Sequence, residues 1–197
     1  MDRIRKLIED IRDYGINNDV PIMSEETISV INNIITENNV SSILEIGTAI
    51  AYSTICFASN DSVKRIVSVE RDSEREKIAC DNVLKSGFNS IELVYGDALE
   101  FETDEIFDLV IIDAAKSQNI KFFNKYKKNL KRDGIMIIDN LDFHGYVGRS
   151  NEIKSRNLRQ MVRKIEKFLV FLSEQDEFDY EFIEVGDRLG VCKRKNI

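Results

Sequence analysis

Residues 40 to 58 read V-S-S-I-L-E-I-G-T-A-I-A-Y-S-T-I-C-F-A. Ile43, Leu44, Glu45 and Ile46 make a short apolar run broken by one acid, Gly47 turns the chain, and an apolar helical pattern begins near Tyr52. This is a strand, a tight turn and a helix. In an open α/β sheet, such a unit places a ligand at the carboxyl end of the first strand, where free N–H groups and the helix dipole favour a negative group. A dinucleotide needs G-x-G-x-x-G so that the backbone approaches its pyrophosphate. Here Gly47 is followed by Thr48, Ala49, Ile50 and Ala51, which argues against one. Glu45 at the strand end repels phosphate and suits an amino group, held directly or through water. A ligand with an amine, a carboxylate and an adenosine fits better: S-adenosylmethionine.

The rest of the chain is consistent with one domain. Its 197 residues, 43% hydrophobic and 32% charged, suffice for a large core. With one proline, no low-complexity tract and no repeat, nothing marks a linker, so residues 1–197 read as a single domain, with N-terminal helices over 1–39 and the binding core over 40–197. No apolar run is long enough for a bilayer, and Met1 to Asp13 is charged and amphipathic rather than signal-like. A cytoplasmic protein without a membrane partner is expected. Cys56, Cys80 and Cys192 are odd in number and far apart, which argues against disulfides and against a cysteine metal site. Three half-buried thiols are the plain reading.

Ile4, Leu7, Ile8 and Ile11 predict a first helix stopping near Gly15, and Ser24 caps a second that buries Ile28, Ile31, Ile34 and Ile35. Arg65 to Val69 reads as the second strand, ending at Glu70, near the spacing at which a carboxylate receives a ribose hydroxyl pair. Asp72 caps a helix closed by Gly87, and Ile91 to Tyr95 is the third strand. Asp97, in the turn after it, either accepts from an adenine amino group or is an ordinary turn acid.

Phe107 to Ile112 is a buried strand ending in Asp113, and Gly134 to Ile138 is another ending in Asp139 and Asn140. A helix over Asn119 to Leu130 links them, so they form one crossover unit with adjacent carboxyl ends. Two carboxylates and an amide, with no histidine or cysteine close by, suit Mg²⁺ better than a pair of simple helix caps. Lys116 follows Asp113 by three residues. Beside a dication in a partly dry site it takes a proton from a substrate hydroxyl; taken alone it is a surface lysine.

These residues carry a family resemblance: V-P-I-M at 20–23, I-L-E-I-G-T-A-I at 43–50, V-E-R at 69–71, Y-G-D-A-L-E at 95–100, I-D-A-A-K at 112–116, D-N at 139–140 and V-G-D at 185–187. From Val20 onward the chain resembles the metal-dependent catechol and caffeoyl-CoA type O-methyltransferases, and among them the bacterial tRNA 5-hydroxyuridine methyltransferases. The resemblance implies a Rossmann-like class I methyltransferase fold, a seven-stranded sheet with helices on both faces. It implies S-adenosylmethionine as donor, Mg²⁺ on Asp113, Asp139 and Asn140, and a homodimer. It assigns Lys116 as base and Asp113 to the reacting centre. The cofactor contacts it implies are Glu45, Gly47, Thr48 and Arg71, with Glu70 at the ribose, Asp97 and Ala98 at the adenine, and Met23, Ser53 and Asp113 around the methionine. Three positions depart from the pattern: Ala51 and Arg188 replace glycines, and Ser117 follows D-A-A-K where glycine is common.

The chemistry wants two adjacent acceptor oxygens. A catechol supplies them, and so does 5-hydroxyuridine, through its hydroxyl and neighbouring carbonyl. The net charge of −7 speaks against RNA, but distribution matters more than the sum. Lys121 to Arg132 holds six basic residues and no acid, and Arg149 to Lys167 seven basic against two acidic. Lys121, Lys125, Lys127, Lys128, Arg149 and Arg156 are the candidate contacts to a tRNA anticodon loop. The competing reading is a solvated helix face, because Leu158, Met161, Ile165, Phe168 and Leu172 form an apolar stripe opposite the charges. Between the segments, Leu141 to Ser150 holds Phe143, His144 and Tyr146, and reads as a mobile loop that covers the acceptor and stacks a base.

Overall fold

The apolar run at residues 43–46 is a strand. In the computed structural model, which describes residues 2–195, β1 (Ser42–Ile46) is buried from Ile43 onward. The backbone gathers into two compact units, one running to Thr103 and one from Asp104. The seven strands make up the sheet of a Rossmann-like methyltransferase fold.

In the first unit, α1 (Asp2–Asn17) and α2 (Glu25–Glu37) precede β1. The Ser24 side chain caps α2 by accepting from the Thr27 N–H at 3.1 Å. After β1 come α3 (Tyr52–Ala58), β2 (Arg65–Glu70), α4 (Ser73–Ser86) and β3 (Ile91–Tyr95). Asp72 caps α4, accepting from the Glu74 and Arg75 N–H groups, and Gly87 ends it at φ 74°, a left-handed position that glycine adopts without a Cβ penalty. The strands pair in parallel in the order β3-β2-β1, with Ile46 opposite Val69 and Glu70 opposite Tyr95. Three strand ends therefore lie side by side. β1 and β2 are buried along nearly their whole length, as parallel strands covered on both faces must be. Helices α1 and α2 pack on α3, and α1 also on α4, within this unit.

The second unit contains β4 (Phe107–Ile112), α5 (Asn119–Tyr126), β5 (Leu130–Ile138), α6 (Arg156–Ser173), β6 (Phe178–Ile183) and β7 (Leu189–Arg194). Their order is β4-β5-β7-β6, with β7 antiparallel to both its neighbours. Phe123 is the centre of the packing, edge-on to Phe168, Phe171 and Phe178 at centroid distances of 6.3, 5.4 and 5.1 Å. Two boundaries differ from the sequence reading. Helix α5 gives way to a 3₁₀ turn over Lys127–Asn129, where the Asn129 amide donates to the Glu105 carbonyl, and β5 begins four residues early, at Leu130. On α6 the fully buried stripe is Val162, Ile165, Phe168 and Leu172, while Leu158 and Met161 are half-buried. Among the described residues no helix is long and apolar enough to cross a membrane.

Candidate active site

The first unit brings the predicted donor-side residues to the ends of β1, β2 and β3. The loop after β1 is wound through the left-handed region at Gly47 (φ 107°), Ala49 (φ 48°) and Ala51 (φ 63°). Both Gly47 and Thr48 donate their N–H groups to the Val69 carbonyl, at 3.0 and 3.3 Å. Ala51 is the residue before α3 and is wholly buried. Its positive φ accounts for the glycine that the resembled pattern has there.

Glu45 differs from expectation. It is 1% exposed, and its carboxylate accepts from three hydroxyls: Ser53 at 2.6 Å, Thr54 at 2.5 Å and Ser68 at 2.5 Å. Thr48 joins through a 2.6 Å hydroxyl contact with Ser68. The acid is thus the buried hub beneath the loop, orienting Ser53 and Thr54 directly and Thr48 through Ser68. Ser68 was missed in the sequence reading, although a serine amid R-I-V-S-V-E pairs with Glu45 in the sheet register and signals a polar partner. Burial, with the Glu45 charge as a lesser cause, pushes the Cys56 thiol up to about 12.

Glu70 is 8% exposed, and its carboxylate accepts from the N–H groups of Ala49, Arg71 and Asp72 at 2.8–2.9 Å. It fixes the loop after β1 to the end of β2. Asp97 accepts from the Leu99 N–H at 2.8 Å and lies 3.8 Å from the Arg71 guanidinium. Ala98 and Met23 are buried.

The second unit assembles the predicted acid and lysine cluster. Ile112 and Ile138 are register partners and the Asp139 N–H donates to the Ile112 carbonyl, so Asp113 and Asp139 leave adjacent strand ends. Asn140 sits at φ 63°, a region asparagine tolerates, and its N–H donates to Asp139 Oδ1 at 2.7 Å. The Asn140 amide Nδ2 reaches both acids, 3.0 Å from Asp139 Oδ2 and 3.3 Å from Asp113 Oδ1. Lys116 Nζ donates to Asp113 Oδ1 at 2.6 Å. Burial pushes the Asp139 carboxyl up to about 7, and the Asp113 charge adds to this. Among the described residues, no three histidine, cysteine or acidic side chains group as metal ligands. The set here is two carboxylates and one amide, hard oxygen donors that suit Mg²⁺ once the Asn140 amide turns to present Oδ1. A desolvated carboxyl that resists ionising beside a second carboxylate is a place where a cation is favourable.

The loop after Asn140 is tied down rather than loose. Asp187 accepts from the His144 N–H at 2.8 Å and lies 3.2 Å from its Nδ1, while Glu166 holds the Gly148 N–H and the Ser150 hydroxyl. Phe143 and His144 both have positive φ. Asp187 lay in a quoted motif without a role; its partner is 43 positions away, beyond what spacing reveals.

The cations divide. Lys127 pairs with Glu177 and Arg149 with Glu152, both at 2.7 Å. Lys125 lies over the Tyr126 ring. Lys121, Lys128 and Arg156 are exposed. The thiols are all free, with Cys56 and Cys192 buried and Cys80 exposed.

A seven-stranded sheet with a glycine turn after its first strand and acids at the ends of β2, β4 and β5 has the class I methyltransferase fold. The O-methyltransferase family model matches residues 3–195, and the chain belongs to that family. A crystal structure from Staphylococcus aureus, described as a candidate caffeoyl-CoA O-methyltransferase, is 37% identical, with a TM-score of 0.91 over 95% of this chain and 92% of that one. The Bacillus cereus O-methyltransferase in complex with SAH shares the fold at a TM-score of 0.83, with 24% identity over 96% of this chain and 91% of that one. The flavonoid 3',5'-methyltransferase of Vitis vinifera is 24% identical over 167 residues, 79% of this chain and 71% of its own.

Proposed function

We propose that this O-methyltransferase takes S-adenosylmethionine as donor and Mg²⁺ as metal, and methylates the 5-hydroxyuridine of a tRNA wobble position to 5-methoxyuridine. The observation that carries the chemistry is the cluster of Lys116, Asp113, Asp139 and Asn140. The donor's sulfonium supplies the methyl group, and the metal supplies Lewis-acid stabilisation of the acceptor oxyanion. The SAH-bound relative supports the donor.

Each side chain then has a task. Asp113, Asp139 and Asn140 hold the metal with hard oxygens. Lys116, once it has lost a proton to solvent and given up its bond to Asp113, takes the proton of the acceptor hydroxyl at Nζ. Glu70 and Asp97 face the ribose and adenine of the donor, Ser53 and Met23 its methionine, and Glu45 orients Ser53. Asp187 holds the His144 loop over the acceptor. Lys121, Lys128 and Arg156 meet tRNA phosphates, because they are exposed on the basic segments.

The second reading is the same chemistry on a small catechol-like molecule, and the name of the flavonoid relative favours it. One experiment separates the two: methyl transfer from labelled S-adenosylmethionine to tRNA bearing 5-hydroxyuridine, with and without Mg²⁺, beside a simple catechol. Metal-dependent labelling of the tRNA supports the first reading; labelling of the catechol alone overturns it.

A further inference from the structure

The chain turns back at Asp139 and Asn140, and a missing side chain makes room for the turn. Ile138, the last residue of β5, is the register partner of Gly190 on β7. Leu141 returns to the same place. Its N–H donates to the Arg188 carbonyl at 3.0 Å, and its wholly buried side chain lies against Gly190. A Cβ on Gly190 would stand 2.6 Å from Leu141 Cδ1, closer than packed carbons approach, with the Phe182 ring 3.8 Å away. The backbone of Gly190 is outside the left-handed region, so the space, not the conformation, asks for glycine.

Asp139 and Asn140 are therefore a two-residue link with both ends fastened to one stretch of β7. A second rung follows, since the Asp142 N–H donates to the Asp187 carbonyl at 2.8 Å. So short a link has little freedom. Asn140 closes it at φ 63°, and from there its amide reaches Asp139 at 3.0 Å and Asp113 at 3.3 Å.

We infer that Gly190 and Leu141 are positioning residues for the metal. The bare Cα of one admits the side chain of the other, and that contact holds Asn140 in the turn that aims its amide at the two carboxylates. This rests on the metal reading above, in which the same amide turns its Oδ1 to the ion. Groups behind the ligands govern metal affinity by fixing where the ligands point. An ordinary core contact carries a different expectation, and the same strand supplies the comparison. Gly134 lies four residues before Ile138, and a Cβ there would meet Leu130 Cδ1 at 2.8 Å and the Asp108 carbonyl at 3.0 Å. A methyl at that position strains β5 in a similar way without touching the turn at Asn140.

The test is calorimetric titration of Mg²⁺, and separately Mn²⁺, into the full chain with S-adenosylhomocysteine bound, which needs no turnover. Gly190→Ala is expected to weaken the metal by about tenfold or more, with affinity for S-adenosylhomocysteine within about twofold of the wild type. Gly134→Ala is expected to lower the melting temperature while metal affinity stays within about twofold. Adding Leu141→Val to Gly190→Ala removes the Cδ1 that the new methyl meets, and is expected to bring metal affinity back to within about threefold of the wild type. Leu141→Ala empties the same contact from the other side and is expected to weaken the metal as well, which keeps the comparison open if Gly190→Ala does not fold. Gly190→Ala or Leu141→Ala binding metal as the wild type does, a loss no larger than that in Gly134→Ala, or a double variant as weak as Gly190→Ala alone overturns the inference and leaves the metal reading standing. A wild type that binds neither ion overturns both, before any variant is made.

Discussion

Lys116 Nζ stands 2.6 Å from Asp113 Oδ1, and the two side chains are only 16% and 22% exposed. An ammonium held that closely, yet within reach of solvent, is positioned to release a proton to water and then to take the acceptor's. Lys116→Gln is expected to lower kcat by about 10²–10⁴-fold with donor affinity retained. Lys116→Arg is expected to fail as well, because a guanidinium does not give up its proton. Steady-state methyl transfer with calorimetric donor binding checks this, and full activity in the arginine variant would remove Lys116 as base.

Asp139 gives a pH dependence. In the metal-free chain its carboxyl is raised to about 7, against an ordinary 3.8, first by burial and then by Asp113. The unfolded chain therefore ionises first, so this group's contribution to stability is full below its ordinary value and is lost as pH rises through about 7. Asp139→Asn, in chelator, is expected to melt above the wild type at about pH 8, by on the order of 2 kcal/mol, and the gap is expected to close toward about pH 4. Parallel melting curves across that range would contradict it. The same variant is expected to lose metal-dependent turnover.

Glu45 serves three hydroxyls in a space closed to water. Glu45→Ala leaves Ser53, Thr54 and Ser68 without their acceptor and opens a cavity. A loss of about 3–5 kcal/mol is expected in urea unfolding, the range for removing one partner of a buried polar network. A smaller loss than about 1 kcal/mol would mean that water replaces the carboxylate.

Ala51 is held at φ 63° with its methyl fully buried. Ala51→Gly relieves about 1 kcal/mol of backbone strain and forfeits a buried methyl of similar worth, so stability is expected to move by less than about 1 kcal/mol. Ala51→Val adds a branched side chain at a left-handed position and is expected to cost more than about 2 kcal/mol. Denaturant midpoints for the two variants decide whether the backbone here is strained.

The exposed cations bear on tRNA. Replacing Lys121, Lys128 and Arg156 together by alanine is expected to raise KM for tRNA at least about tenfold. It is also expected to shrink the salt slope of binding by about 2, with donor affinity unchanged. An unchanged slope would return both basic segments to solvated helix faces.

What the sequence determined by itself is local. The strand, turn and helix at residues 42–58, the caps at Ser24 and Asp72, the stop at Gly87 and the acids at the strand ends are written in periodicity and in residues whose chemistry acts within a few positions. Asp113, Lys116, Asp139 and Asn140 were legible because one crossover makes neighbours of two strand ends. Tertiary structure decided how the acids are used. Glu45 became a buried hub because Ser68, 23 positions away, is its partner across the sheet. The loop after Asn140 became fixed because Asp187 returns to it from beyond α6. The physical reason is common to both: a polar side chain's role depends on which donors, acceptors and water remain once the chain has closed around it, and that accounting has no period in the sequence.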